Sequence, residues 1–244
     1  MSTTALVTGA SRGFGRGIAT ALVTAGMQVV GVARDSDQLQ QLRAELGDAF
    51  IPVTADITGP VIAGRLIDAY RPSILVLNAG ASPLPRPLHQ HTWQSFSQNW
   101  DVDVQHVFRW VREGLLNPLP PGSTVITVSS GAALRGSPLS GGYAGAKATI
   151  RFITAYAADE SERAELGIRF RCVLPQLTPA TALGSAAIAA YAGRQGADVG
   201  SYLAAAGPAL TVEQVGSAIT SLITDPGYDR VAYLLTAGGL TPAP

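Results

Sequence analysis

Thr8-Gly9-Ala10-Ser11-Arg12-Gly13-Phe14-Gly15 follows a short β-branched run, Thr3–Thr8, and opens a helix-length segment at residues 13–25. Glycines at such a junction permit a tight turn and let the backbone approach a pyrophosphate, which rests on the N-terminus of the following helix. A glycine-rich turn by itself also suits an ordinary loop; its place directly after the first strand favours a dinucleotide site. Outward from this turn, strand signals recur at Gln28–Ala33, Phe50–Thr54, Ile74–Leu77, Thr124–Ser129, Arg169–Leu174 and Val231–Thr236. Helix-length segments lie between them at 35–47, 59–70, 92–116, 140–165 and 211–224. This alternation predicts a parallel sheet with helices on both faces. Runs such as Ile74-Leu75-Val76-Leu77 are continuous rather than alternating, as strands buried on both faces require. Asp35 and Thr92 stand where helix caps belong. Residues 176–210 break the pattern, are rich in Ala, Gly and Pro, and predict a lid of one or two short helices over a substrate pocket.

The 244 residues suit one α/β domain spanning 1–244, with no repeat, charge block or linker to divide it. Apolar residues make up 47% and charged residues only 14%, against roughly 25% charged in an average globular protein. Seventeen basic residues balance 17 acidic ones without a Lys/Arg cluster, so electrostatic nucleic-acid binding has no support. Cys172 is the one cysteine, which excludes an intrachain disulfide and points to a reducing, cytoplasmic setting. Arg12 and Arg16 interrupt the apolar start, so no secretory signal is expected. No membrane partner is expected either, since no apolar run is long enough to span a bilayer. So little charge on so large a surface favours an oligomer.

Cofactor choice turns on the end of the second strand. Folds specific for NAD carry an acidic residue there for the ribose hydroxyls, whereas arginine favours the 2′-phosphate of NADP. That position falls on Ala33, followed by Arg34, and Arg12 in the glycine turn supplies a second guanidinium. Two arginines without an acidic rival make a phosphate clamp, so NADP(H) is expected over NAD(H). Asp35 competes for the role, but as a helix cap it points away.

Tyr143-Ala144-Gly145-Ala146-Lys147 puts a phenol and an ammonium on one face of a helix. A tyrosine with a pKa of about 10 is a weak acid at neutral pH, and a nearby cation stabilises its phenolate. The same cation can hold a nicotinamide ribose. Such pairs are common on ordinary helices; Ser130 changes the balance. It ends the strand containing Val125-Ile126-Thr127-Val128, thirteen positions before Tyr143, with Ser129 as structural neighbour, and can hydrogen-bond a substrate carbonyl. Asn78-Ala79-Gly80 follows the fourth strand, and Asp56-Ile57 follows the third.

The glycine turn, Asp56, Asn78-Ala79-Gly80, Ser130 and Tyr143-x-x-x-Lys147 recur in an order and spacing that resemble the short-chain dehydrogenase/reductase family over essentially the whole chain. The resemblance implies a three-layer, Rossmann-like, doubly wound α/β fold with a seven-stranded parallel sheet. It implies hydride transfer between a nicotinamide and a substrate carbon. Tyr143 would be the general acid in reduction, Lys147 would lower its pKa and bind ribose, and Ser130 would orient the carbonyl. The cofactor would lie along Gly9, Ser11, Arg12, Gly13, Phe14, Gly15, Arg34, Asp56, Ile57, Asn78, Ala79, Gly80, Tyr143, Lys147, Pro175, Leu177 and Thr178. Family helices like those carrying Asp103 and Tyr143 pack against a second subunit, which implies a homodimer or homotetramer.

Two positions depart from the family. Its pattern Asn-Val-Asn-x-x-Gly-x-Phe reads here Asp101-Val102-Asp103-Val104-Gln105-His106-Val107-Phe108, so the asparagine of the proton relay aligns with Asp103. An aspartate keeps an acceptor, loses a donor and adds negative charge near Lys147. The sixth strand's usual Pro-Gly is Pro175-Gln176, followed by Thr178 and Thr181, either of which can serve as the family's cofactor-binding threonine. His89-Gln90-His91 lacks a nearby third ligand and reads as exposed loop histidines rather than a metal site. His106 reads as a packing or interface residue, Cys172 as core, and Phe96, Trp100, Val104, Val107, Phe108 and Val111 as a core or interface stripe. The expected activity is an NADPH-dependent carbonyl reductase or alcohol dehydrogenase for an apolar small molecule. The alternatives are a dehydratase, isomerase or cyclase on the same fold, and a dinucleotide-binding regulatory protein with decayed turnover.

Overall fold

Alternation along β1 (Thr4–Thr8) distributes the core: Ala5 and Val7 join one apolar cluster, and Leu6 between them joins the other. The computed structural model describes residues 3–244. The first cluster lies under α1 (Gly13–Thr24), α2 (Ser36–Leu46) and α10 (Val212–Thr224), through Ile18, Leu22, Leu39, Leu42, Ile219 and Leu222. The second lies under α3 (Ile62–Tyr70), α5 (Gln105–Leu116) and α7 (Tyr143–Arg163), through Leu66, Trp110 and Ile150. Between these layers run β2 (Gln28–Ala33), β3 (Phe50–Thr54), β4 (Ile74–Leu77), β5 (Thr124–Val128), β6 (Arg169–Pro175) and β7 (Ala232–Thr236). β4 and β5 are buried along their whole length, as their continuous apolar sequences require.

The strand order is β3-β2-β1-β4-β5-β6-β7-β8, and every pair through β6·β7 is parallel. The sheet has eight strands, which corrects the expected seven. β8 (Gly239–Pro242) returns antiparallel along β7, pairing Thr236 with Gly239. Gly239 takes φ +104°, a conformation that favours glycine, and so allows the chain to reverse after Ala237-Gly238. The order reverses between β1 and β4, and ligands of open α/β sheets bind at the carboxyl ends of strands at such a point.

The segment expected as one helix over 92–116 is broken into α4 (Trp93–Asn99), a π-helical turn at Trp100–Val104, and α5. Thr92 caps α4 in a reciprocal box with Ser95. The widened turn carries Asp103 into the interior, where it is 1% exposed. A short α6 (Ala132–Arg135) follows β5, while residues 176–210 contain α8 (Ala182–Gln195) and α9 (Val199–Ala206), capped by Thr181 and Asp198.

Candidate active site

The glycine turn is locked by sterics. Gly9 has φ +68°, and a Cβ on Gly15 would lie 2.0 Å from the Gly9 carbonyl oxygen. Thr8 Oγ1 accepts from the backbone N–H of Asn78 at 3.0 Å and of Ala79 at 3.2 Å, fastening the turn after β1 to the one after β4. The Asn78 amide donates to the Thr8 carbonyl at 3.1 Å, so its side chain serves the turn itself. Ser11 is buried, and half-buried Phe14 packs on the first cluster. Arg12 occupies the cap position of α1 without a side-chain cap hydrogen bond. The first-turn amides of α1 therefore lack a side-chain acceptor, and they lie beside glycines with no side chains to cover them.

Arg12 and Arg34 are exposed, and neither forms an ion pair among the described residues. Asp35 is the cap of α2 as expected, accepting from the Gln38 N–H at 3.0 Å and the Gln38 side-chain amide at 2.6 Å. Asp56 accepts from the Thr58 N–H at 2.9 Å and hydroxyl at 2.7 Å. These bonds hold its carboxyl below the usual carboxylate value, with a smaller contribution from the Arg34 charge. Sequence reasoning missed what fixes this turn: Trp110 Nε1 donates to the Ile57 carbonyl at 3.0 Å, and Arg109 donates to the Thr58 carbonyl. A donor-bearing indole on the same helix as the apolar stripe was the available signal.

At the end of β5, Ser130 is half-buried and its hydroxyl accepts from the Ala132 N–H at 3.2 Å. Ser129 has the structural role expected of it, donating to the Lys147 carbonyl at 2.7 Å and tying α7 to β5. Tyr143 is the first residue of α7, and Lys147 Nζ lies 5.6 Å from its ring centroid. The Lys147 ammonium donates to the Val128 carbonyl at 3.2 Å and faces Asp103 Oδ2 at 3.1 Å. Asp103 Oδ1 accepts from the Ala81 N–H at 2.8 Å. A Cβ on Gly80 would stand 2.7 Å from Asp103 Oδ2, so glycine there admits the carboxylate. Burial pushes the lysine down, but the Asp103 carboxylate, aided by Tyr143, outweighs it and holds Lys147 above the usual lysine value. The departure from asparagine thus produces a buried ion pair directly behind the phenol.

His106 is fully buried, stacks edge-on against Trp110 at 5.9 Å, and neither ring nitrogen has a hydrogen-bond partner. Burial, reinforced by the Lys147 charge, pushes it down to about 3 and keeps it neutral. It is a packing residue of the chain's own core. His89 is exposed as expected; His91 instead is half-buried, with Nδ1 3.0 Å from Ser95 Oγ and its ring edge-on to Phe96. Val107 and Val111 of the apolar stripe face the core, whereas Phe108 and Trp100 are exposed.

Across the cleft, the Pro175 carbonyl accepts from Gly131 N–H at 2.9 Å, and Gln176 donates to the Pro208 carbonyl at 2.9 Å. Leu177 is exposed. Thr178 is buried, its hydroxyl donating to the Leu210 carbonyl at 2.5 Å. Thr181 is the threonine that reaches the glycine turn, with Cγ2 3.5 Å from the position of a Cβ on Gly13.

A family model described as short chain dehydrogenase matches residues 3–191. Over 187 residues the chain is 30% identical to a probable NADP-dependent dehydrogenase of Haemophilus influenzae, covering 74% of this chain and 73% of that one. It is 36% identical over 159 residues to serine 3-dehydrogenase of Rhizobium radiobacter, covering 62% of this chain and 63% of that one. The crystal structure of a 3-ketoacyl-(acyl-carrier-protein) reductase from Brucella melitensis, complexed with NADH, covers 97% of both chains with a TM-score of 0.80 at 24% identity, a likeness of fold. With the family model matched along most of its length, the chain belongs to the short-chain dehydrogenases, a family of oxidoreductases.

Proposed function

We propose that this protein is an NADPH-dependent reductase of an apolar ketone, or the corresponding alcohol dehydrogenase. The observation that carries the reading is Tyr143 on the first turn of α7, with the Lys147 ammonium fixed beside its ring by Asp103 and the Val128 carbonyl. The residues present fit a dinucleotide. The uncapped start of α1 and the bare backbone at Gly9, Gly13 and Gly15 suit a pyrophosphate, with Ser11 and Phe14 shaping the turn. Arg12 and Arg34, both without ion-pair partners among the described residues, suit a 2′-phosphate. Asp56 and Ile57 would hold the adenine side, Asn78, Ala79 and Gly80 the middle, and Pro175, Leu177, Thr178 and Thr181 the nicotinamide edge. A relative named NADP-dependent favours this choice, while the NADH in the Brucella structure belongs to that protein.

When bound, the nicotinamide supplies or accepts the hydride. The chain supplies the proton and the geometry. Ser130 orients the substrate oxygen, and Tyr143 Oη delivers a proton to that oxygen in reduction or removes it in oxidation. Lys147 stabilises the phenolate that remains. The Asp103 charge opposes that stabilisation, so oxidation of an alcohol should need a higher pH than reduction of the ketone. Residues 176–210 serve as a lid within one domain. Segments 82–88, 134–142 and 177–207 carry few charges, Arg86, Arg135 and Arg194 being the main ones, so a neutral or singly anionic substrate fits. The exposed Trp100, Phe108, Phe152 and Tyr156 support assembly into a homodimer or homotetramer. Screening NADPH oxidation against a panel of ketones tests the reading: turnover that disappears in Tyr143→Phe is expected, and NADPH binding without turnover on any ketone would favour a regulatory role.

A further inference from the structure

A continuous hydrogen-bonded path runs from the lid to the start of α7. The hydroxyl of Tyr191, on α8, meets the hydroxyl of Ser137, on the loop between α6 and α7. Ser137 Oγ lies 2.8 Å from Ser140 Oγ and accepts from the Leu139 N–H at 3.3 Å. The set is satisfied when Tyr191 donates to Ser137 and Ser137 donates to Ser140. The backbone continues the path: Ser140 N–H donates to the Ser137 carbonyl at 3.1 Å, and Tyr143 N–H donates to the Ser140 carbonyl at 3.0 Å. Ser140 and Leu139 are buried, so this turn is packed as well as bonded. Gly136 and Gly141, at φ +66° and +52°, bracket it with residues that tolerate a change of backbone direction. On the lid side, Tyr191 stacks on Tyr202 of α9 at 6.5 Å and 11°, which joins the second lid helix to the first.

We infer that Tyr191 is a positioning residue: its hydroxyl latches the lid to the Ser137–Ser140 turn, so the lid and the backbone presenting Tyr143 open and close as one unit. The hydroxyl has a partner within the chain, so the latch closes on side chains of the protein itself. Its meaning for catalysis rests on the reading of Tyr143 as proton donor; the coupling of the two segments does not. Tyr191 lies ten residues along α8 from Thr181, about 15 Å at 1.5 Å per residue, so the latch acts far from the lid's contact with the glycine turn.

Amide hydrogen exchange on the full chain tests the latch without substrate or cofactor. Tyr191→Phe keeps the ring that stacks on Tyr202 and removes only the oxygen. Exchange is expected to quicken about tenfold in both residues 183–195 and residues 141–147, the scale of one lost hydrogen bond in a local opening, with α1 and α10 unchanged. Ser137→Ala should quicken exchange in the same two segments at least as much, since it also removes the bonds to Ser140 and Leu139. The double variant should not exceed Ser137→Ala, which has already lost the Tyr191 bond. With a ketone that turns over, Tyr191→Phe should raise KM about fivefold while leaving NADPH affinity unchanged. Unchanged exchange overturns the latch, as does quickening confined to α8. Quickening throughout the sheet would mean that Tyr191 is merely structural and would also overturn it. Should no ketone prove to be a substrate, the exchange result still decides whether the two segments are coupled.

Discussion

The two halves of the cleft are built on opposite principles. Around β1 and β2, the groups proposed to meet the cofactor stand open among the described residues: α1 begins without a side-chain cap, and Arg12 and Arg34 have no ion pair. Around β5 and α7, Lys147 and several hydroxyls are already engaged, although the buried His106 ring nitrogens and Ser123 Oγ have no partner among the described residues. Lys147 has Asp103 and Val128, Ser129 has the Lys147 carbonyl, and Thr178 has Leu210. Under the proposed reading, the first half offers its open donors to a charged ligand. The second holds its charges buried, where they interact more strongly but must be matched within the protein. Binding and chemistry should therefore separate under mutation.

Tyr143→Phe presses that separation hardest. Removing one oxygen from the engaged half should lower turnover by about 10²- to 10⁴-fold, the usual worth of a positioned proton donor. Cofactor affinity should stay within a few-fold, because the groups proposed to bind it lie mostly in the open half. Parallel titration of NADPH fluorescence and steady-state rates checks both; simultaneous loss of binding would mean that the tyrosine holds the site together.

Arg34→Asp makes the reciprocal test on the open half. The substitution puts an acid at the end of β2, beside the proposed 2′-phosphate position and within the field of Asp56. The ratio of NADPH to NADH affinity should fall about tenfold or more, from loss of a charge-assisted contact and gain of repulsion. Turnover at saturating cofactor should hardly change. Equal affinities in the unmodified protein would remove the basis for the phosphate clamp.

How much of this contrast was legible in the sequence follows from what each half is made of. The open half depends on backbone and spacing: glycines after a strand, an arginine at a strand end, an aspartate that caps a helix. Gly9, Gly15, Arg34 and Asp35 announce such roles through residue type and position. The engaged half depends on which side chains meet across elements. Asp103 stood out as a departure with its charge near Lys147; what stayed hidden was that it makes the 3.1 Å contact from a π-helical turn, which no periodicity announces. That Thr178 turns inward to the Leu210 carbonyl while Thr181 comes beside Gly13 also depends on the path of the chain after β6. β8 was missed because a four-residue strand ending in proline reads as a tail.

Asp103→Asn sharpens the contrast from within the engaged half. Losing the carboxylate removes a charge that opposes the phenolate, and the amide restores a donor. The basic limb of the alcohol-oxidation profile should move to lower pH, with a rate gain of about tenfold if the lost repulsion is about 1.4 kcal/mol. The same change strands a buried ammonium, a disruption that commonly costs about 3 to 5 kcal/mol, so a lower Tm should accompany it. A pH profile superimposable on the parent's, despite that loss of stability, would make Asp103 an anchor for Lys147 with no effect on the chemistry.

His106 yields the smallest effect, and it reports on the burial that distinguishes the engaged half. Its ring is neutral in the folded chain because burial pushes it down to about 3 from an ordinary 6.5. Below that ordinary value the unfolded chain takes up a proton that the folded chain refuses. Stability from this group is therefore lost as pH falls from 6.5 towards 3, and nothing is lost above that window. Between pH 6.5 and 5.5 the loss should be about 1 kcal/mol, since one proton contributes at most about 1.4 kcal/mol per pH unit. His106→Phe keeps a ring against Trp110 and cannot titrate, and His106→Leu guards against overpacking by the larger ring. Urea unfolding at pH 7.5, 6.5 and 5.5 should show a steeper decline for the parent than for either variant, with the difference absent between 7.5 and 6.5 to within a few tenths of a kcal/mol. Parallel declines would mean that water reaches the ring in solution. The interior around His106 would then be wet, and the coupling between Asp103 and Lys147 would weaken with it.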